Sequence, residues 1–172
     1  MSEIVSTNWL YKNLNKQHLV IFDCSWYMPN EKRDTFKEYK KKHIKNSFFF
    51  DIEKISDLNS PFPHMLPNIE NFIKKMKYFN IHKDTKIITY SSNGFLGSAR
   101  VWWMFKYFGF KNIYVLNGGL KKWVLERRKT TNTLTKRKLS TFNFIIDKNW
   151  LTKSNEIKKN LYKNKYKVID AR

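Results

Sequence analysis

Close to its end this chain starts over. Asn8-Trp9-Leu10, Lys12-Asn13-Leu14 and the run Leu19-Val20-Ile21-Phe22-Asp23 open the sequence. The same elements return in order as Asn149-Trp150-Leu151, Lys159-Asn160-Leu161 and Val168-Ile169-Asp170. Each copy reads as a short helix leading into a strand that ends on an aspartate. A period of this length is a whole domain rather than a solenoid unit. One domain must therefore be complete between the two openings. The second copy, with one helix and one strand, cannot bury a core alone. Chance is the competing explanation, because Lys and Asn are abundant and short matches arise easily. The predicted division is 5–126 for the complete domain, 127–147 for a linker and 148–172 for the truncated start of a second domain.

Between the openings, apolar runs alternate with helical patterns. Leu19–Phe22, Ser47–Phe50, Lys86–Tyr90 and Ile113–Leu116 read as strands buried on both faces. Ser6 or Thr7 can cap a first helix carrying Trp9, Leu10 and Leu14, and Asp34 a second helix running to about Lys42. Further helices are predicted over Asn68–Phe79, Ser98–Phe108 (with Gly109 as its C′ residue) and Leu120–Glu126. Asp51–Pro67 is a long loop with three prolines, and loops of that length are more often functional than idle. Arg127–Thr141 is basic and threonine-rich and reads as an exposed linker. This order predicts an α/β fold, a parallel sheet between helical layers. In such sheets ligands bind at the carboxyl ends of the strands, here the loops after Asp23, Phe50, Tyr90 and Leu116.

The net charge of +20 invites a nucleic-acid reading. Only six of the 34 cationic residues are Arg, the side chain whose planar fork suits base readout. Lys, Asn, Ile and Phe share A/T-rich codons, so genomic bias accounts for the excess, and nucleic acid is not the expected partner. No apolar stretch reaches the roughly 20 residues of a membrane span, and no membrane partner is expected. The N-terminus lacks the pattern of a secretory signal. The lone Cys24 excludes an internal disulfide and suits a reducing compartment, so the cytoplasm is expected. His and Cys have no metal-ligand spacing, and neither metal nor other cofactor is expected.

Several loops carry a resemblance. Phe22-Asp23-Cys24-Ser25-Trp26, Tyr39 with His43-Ile44, Phe49-Phe50-Asp51-Ile52 and Pro63-His64-Met65-Leu66-Pro67 are four of the matching pieces. Ala99-Arg100-Val101-Trp102-Trp103-Met104-Phe105 and Leu116-Asn117-Gly118-Gly119-Leu120 complete an ordered set. Together they resemble the rhodanese domain, in particular the N-terminal half of two-domain thiosulfate and 3-mercaptopyruvate sulfurtransferases. Lys45-Asn46-Ser47 departs from the Pro-Gly-Ala step usual in that family. Val168-Ile169-Asp170-Ala171-Arg172 resembles the opening strand of the second domain. The resemblance implies an α/β/α rhodanese-like domain and transfer of sulfane sulfur from a small anionic donor, thiosulfate or 3-mercaptopyruvate, to a thiophilic acceptor such as a thiol. The domain would pack against a second rhodanese domain. That reaction needs a persulfide-forming Cys at the start of the loop after the central strand, where backbone N–H groups depress its pKa. Here Ser91 stands at that position, so no nucleophile is expected in this chain and the working Cys would lie beyond Arg172. The alternative is a non-enzymatic rhodanese module that binds a protein or an anion.

Accessory candidates follow from the same resemblance. Glu53 and His64 align with an acid/base pair of mercaptopyruvate-type enzymes, and imidazole suits proton transfer near neutral pH. Read from its own loop alone, His64 is better explained as a structural residue, and only the resemblance favours the proton-handling role. Arg100 opens the helix after the Ser91 loop, with a salt bridge at an interface or at the edge of the core as its simpler role. Cys24 reads as a small buried thiol. Ser91 and Ser92 lack the G-x-S-x-G elbow of a serine nucleophile.

Overall fold

The two runs with the most continuous apolar character take interior places in the sheet. In the computed structural model, which describes residues 2–170, five strands form one parallel sheet. They are β1 (Ile4–Val5), β2 (Leu19–Asp23), β3 (Ser47–Phe49), β4 (Lys86–Tyr90) and β5 (Ile113–Leu116), in the order β1-β5-β4-β2-β3. The helices are α1 (Thr7–Asn13), α2 (Thr35–Lys41), α3 (Ile69–Met76), α4 (Leu96–Tyr107), α5 (Gly119–Leu125) and α6 (Ser154–Lys163).

Strand alternation sorts the core into two halves. Val20 and Phe22 of β2 join Phe72 and Met76 of α3 and Val101, Met104 and Phe105 of α4 on one face. Ile21, on the other face, meets Leu10 of α1, Tyr90 of β4 and Trp123 of α5. The result is the predicted α/β/α sandwich.

Local chemistry sets the helix ends. Ser6 Oγ accepts from Trp9 N at 3.1 Å, Asp34 Oδ1 from Lys37 N at 2.8 Å, and Asn68 Oδ1 from Asn71 N at 2.8 Å. Gly109, at φ 79°, ends α4 as expected. That helix begins at Leu96, two residues before the predicted start. β1 was not predicted: its two residues are too short for any periodicity, and only pairing with β5 makes them a strand.

The segment after α5 departs from its reading as an exposed linker. Its side chains are mostly exposed, yet its backbone is fastened across the domain. Thr131 and His43 exchange two backbone hydrogen bonds of 2.9 Å, and Lys138 O accepts from Asn80 N at 3.0 Å. Trp123 Nε1 donates to Lys129 O, and Thr135 Oγ1 to Ser47 O. Further along, Phe144 is buried edge-on against Phe72, with ring centroids 5.0 Å apart, and Phe142 and Ile146 pack on the same core. Truncation after Arg128 therefore cannot leave stability unchanged, contrary to a reading as free linker. The polar composition of 127–141 concealed this, because the anchors are backbone groups, hydroxyls of common polar residues and three apolar residues placed later.

Beyond the strap, the two Asn-Trp-Leu segments differ in structure. Trp9 lies within α1, whereas Trp150 ends a single 3₁₀ turn. Trp150 docks on α4: its ring meets Trp102 edge-on at 5.4 Å, and its carbonyl accepts from Trp103 Nε1 at 2.8 Å. The strand expected at Val168–Asp170 is not formed, and Val168 and Ile169 are exposed. A strand needs a ladder partner, and Val168–Ile169 joins none of the five strands of the sheet. Ala171 and Arg172, also assigned to that strand, lie outside the described residues.

Candidate functional site

The carboxyl ends of β2 and β4 meet at a closely fitted loop. Ser91 follows Tyr90 directly and is buried. Its hydroxyl accepts from Ser98 N at 3.0 Å and reaches Cys24 O at 3.4 Å. Ser98 is in the first turn of α4, so Ser91 caps a donor that α4 leaves unpaired. Two glycines let the backbone close around it. A Cβ on Gly97 would lie 1.9 Å from Cys24 O, and one on Gly119, at φ 52°, 2.2 Å from Ser91 O. Ser91 is thus committed to structure.

Beneath that loop runs a chain of hydroxyls that the sequence did not disclose. Asp23 Oδ1 accepts from Ser25 Oγ at 2.5 Å, Ser25 Oγ accepts from Ser92 N at 2.9 Å, and Ser92 Oγ lies 2.9 Å from Tyr27 Oη. Burial raises the Asp23 carboxyl above its ordinary range, opposed by the hydrogen bonds from Ser25. Cys24, on the neighbouring position, is fully buried. Burial first, and then the Asp23 charge, push its thiol well above the ordinary value. A thiol so placed is a poor sulfur carrier, in line with its reading as a packing residue.

The long loop 51–67 brings Glu53 and His64 together. His64 Nε2 and Glu53 Oε1 are 2.9 Å apart, and the same oxygen accepts from Trp26 Nε1 at 2.7 Å. Trp26 also meets the His64 ring edge-on at 4.9 Å. His64 has φ 57°, a conformation uncommon outside glycine, and Arg100 Nη2 donates to its carbonyl oxygen. The Arg100 guanidinium lies 4.5 Å from the centroid of Trp103. Its Nε is buried without a partner, and burial lowers its pKa. Among the described residues Arg100 has no carboxylate partner, and within this chain its guanidinium is a tether on the His64 backbone.

Sequence reasoning singled out Glu53, His64 and Arg100, and all three converge. It missed Trp26 as the indole that holds Glu53. No spacing signal could have found it, because the two are joined only by the approach of two strand-end loops.

Hydrogen bonds first from His64 and then from Trp26 hold the Glu53 carboxyl below its ordinary range. The ionised form is favoured in the folded protein. Its contribution is therefore fully present above the ordinary Glu range and is lost as pH falls through the lowered value. In His64→Ala the Glu53 titration, followed by carboxyl-carbon NMR, should move back up towards the ordinary value. An unchanged midpoint would show that the contact with His64 is not made in solution.

Fold and loop geometry together define a rhodanese-like domain, here with Ser91 first in the loop after β4. Residues 6–126 match the family described as Rhodanese-like domain, and the chain belongs to that family. It is 42% identical over 120 residues to thiosulfate/3-mercaptopyruvate sulfurtransferase 1, mitochondrial, of Arabidopsis thaliana, covering 70% of this chain and 32% of that protein. It is 32% identical over 175 residues to human 3-mercaptopyruvate sulfurtransferase, covering 98% and 59%. Its fold matches the crystal structure of SseA from Escherichia coli, a 3-mercaptopyruvate sulfotransferase, with TM-score 0.93 and 29% identity over all of this chain and 66% of that one. The chain thus spans from about a third to three-fifths of the length of the curated relatives it matches. Among the described residues no helix is long and apolar enough to cross a membrane.

Proposed function

We propose that this chain is the non-catalytic N-terminal domain of a sulfurtransferase that moves sulfane sulfur from 3-mercaptopyruvate or thiosulfate to a thiophilic acceptor. The observation that carries the reading is Ser91: where the reaction needs a thiolate, a serine hydroxyl caps α4. The relatives named above supply the reaction class. In this reading the nucleophilic Cys belongs to a second rhodanese-like domain, and the Glu53–His64 pair lines the cleft between the two. His64 moves the proton that mercaptopyruvate chemistry requires. Glu53 orients its ring, and Arg100 holds the backbone that carries it. The single buried thiol suits a reducing compartment, and we place the protein in the cytoplasm.

Thiocyanate formation from either donor in the presence of cyanide is the test. The isolated chain is expected to show none, and Cys24→Ser should change nothing. Joined to a rhodanese-like domain with a cysteine in its own loop, the chain should support turnover. Activity of the isolated chain that disappears in Cys24→Ser would overturn the reading.

A further inference from the structure

A second concavity, lined by neither the Ser91 loop nor the Glu53–His64 pair, lies at the outer edge of β3. It is a cavity of about 340 Å³, within the size range of small-molecule sites, roughly 300–1,000 Å³. Rings build its walls. Phe36 and Phe49 lie 5.3 Å apart between centroids, Tyr39 stacks beside Phe36 at 6.2 Å, and Phe48 meets Phe79 edge-on at 5.3 Å. Nearly half of Phe36 is exposed to solvent, and from the strap Leu134 contributes a half-exposed side. Aromatic surface left open to water around a preformed hollow is the usual lining of a ligand site.

The polar groups at the mouth are mostly cationic. Lys54 pairs with Asp51 at 2.9 Å, which leaves Lys75 and Arg137. Among the described residues neither has a carboxylate partner. Arg137 already stands 5.3 Å from the centroid of Phe79. Tyr39, whose hydroxyl donates to Ser47 O, is pushed up to about 12, chiefly by burial, and adds no negative charge near neutral pH. Flat apolar walls with two uncommitted cations at the rim define a complement of one kind.

We propose that this cavity binds a small aromatic anion, its ring between Phe36, Phe49 and Phe79 and its carboxylate, sulfonate or phosphate against Lys75 and Arg137. The site depends on the strap: without residues 131–138 it has no outer wall. It is independent of sulfur transfer, since none of its lining residues belongs to the Glu53–His64 pair or the Ser91 loop.

Fluorescence titration with 1-anilinonaphthalene-8-sulfonate tests it, against the uncharged N-phenyl-1-naphthylamine. Saturable one-to-one binding of the sulfonate is expected, with the neutral compound much weaker. Lys75→Glu and Arg137→Glu each reverse an exposed charge and should weaken sulfonate binding about tenfold or more, the effect of losing one charge-assisted contact. Their thermal midpoints should stay unchanged. In the unsubstituted chain, amide NMR shifts on adding the probe should concentrate at Phe49, Lys75 and 134–137. Equal binding of both compounds, indifference to either charge reversal, shifts centred elsewhere, or no saturable binding would each overturn the proposal.

Discussion

A Phe144→Ala variant is expected to lose about 3–5 kcal/mol of folding stability, the usual cost of emptying a buried aromatic site. The side chain is 5% exposed and contacts the rings of Phe72, Phe105, Phe110 and Phe142. Phe72 and Phe105 are held in α3 and α4, so they cannot collapse far into the space left behind. For a chain of this size each kcal/mol lowers the thermal midpoint by roughly 2–4 °C, so a fall of about 6–20 °C should be seen. Truncation after Arg128 removes Phe142 and Ile146 as well, with the backbone bonds to His43 and Asn80. It should cost more than the single substitution. A midpoint within about 1 °C of the parent in Phe144→Ala would mean the strap is not seated as described, since even surface changes commonly reach that size.

The second large effect belongs to His64, in a protein where this domain faces a cysteine-bearing partner domain as proposed. His64→Ala should lower turnover with 3-mercaptopyruvate by roughly 10²–10⁴-fold, the span of general acid–base assistance. As the C–S bond breaks, sulfur passes to the cysteine and the departing enolate must take up a proton. Thiosulfate releases sulfite and needs no such transfer, so its turnover should fall much less. The geometry supports a proton-handling role: Glu53 is bonded to the imidazole at 2.9 Å and is itself held by Trp26. Glu53→Gln keeps the shape but removes the charge that steadies an imidazolium, and should show the same bias towards mercaptopyruvate with a smaller loss. Equal losses with both donors in His64→Ala would reduce this residue to a structural part of its loop.

The site was legible in the sequence only where identity alone carries chemistry. Ser91 could be seen to stand where the resemblance implies a cysteine, and no neighbour can turn a hydroxyl into a persulfide carrier. Glu53, His64 and Arg100 could be nominated through the resemblance, but not their mutual arrangement. His64 and Arg100 are joined through a backbone carbonyl, and any residue type supplies one. The hydroxyl chain from Asp23 to Tyr27 was hidden for a similar reason: its members are common polar residues, and only the closeness of β2 and β4 makes them a network.

What the sequence determined by itself was the α/β/α sandwich, the caps at Ser6 and Asp34, and the burial of Cys24. These depend on the spacing of apolar residues and on contacts between near neighbours, both written along the chain. Tertiary structure alone decided three other features. Ile4–Val5 is a strand because β5 offers it an edge. Val168–Ile169 is not one, although its sequence resembles β2, because it pairs with none of the five strands. Residues 127–147 are a strap rather than a free linker because Phe144 finds a place in a core built by distant residues. In each case the local sequence is nearly neutral, and the free energy that decides comes from a partner far away along the chain.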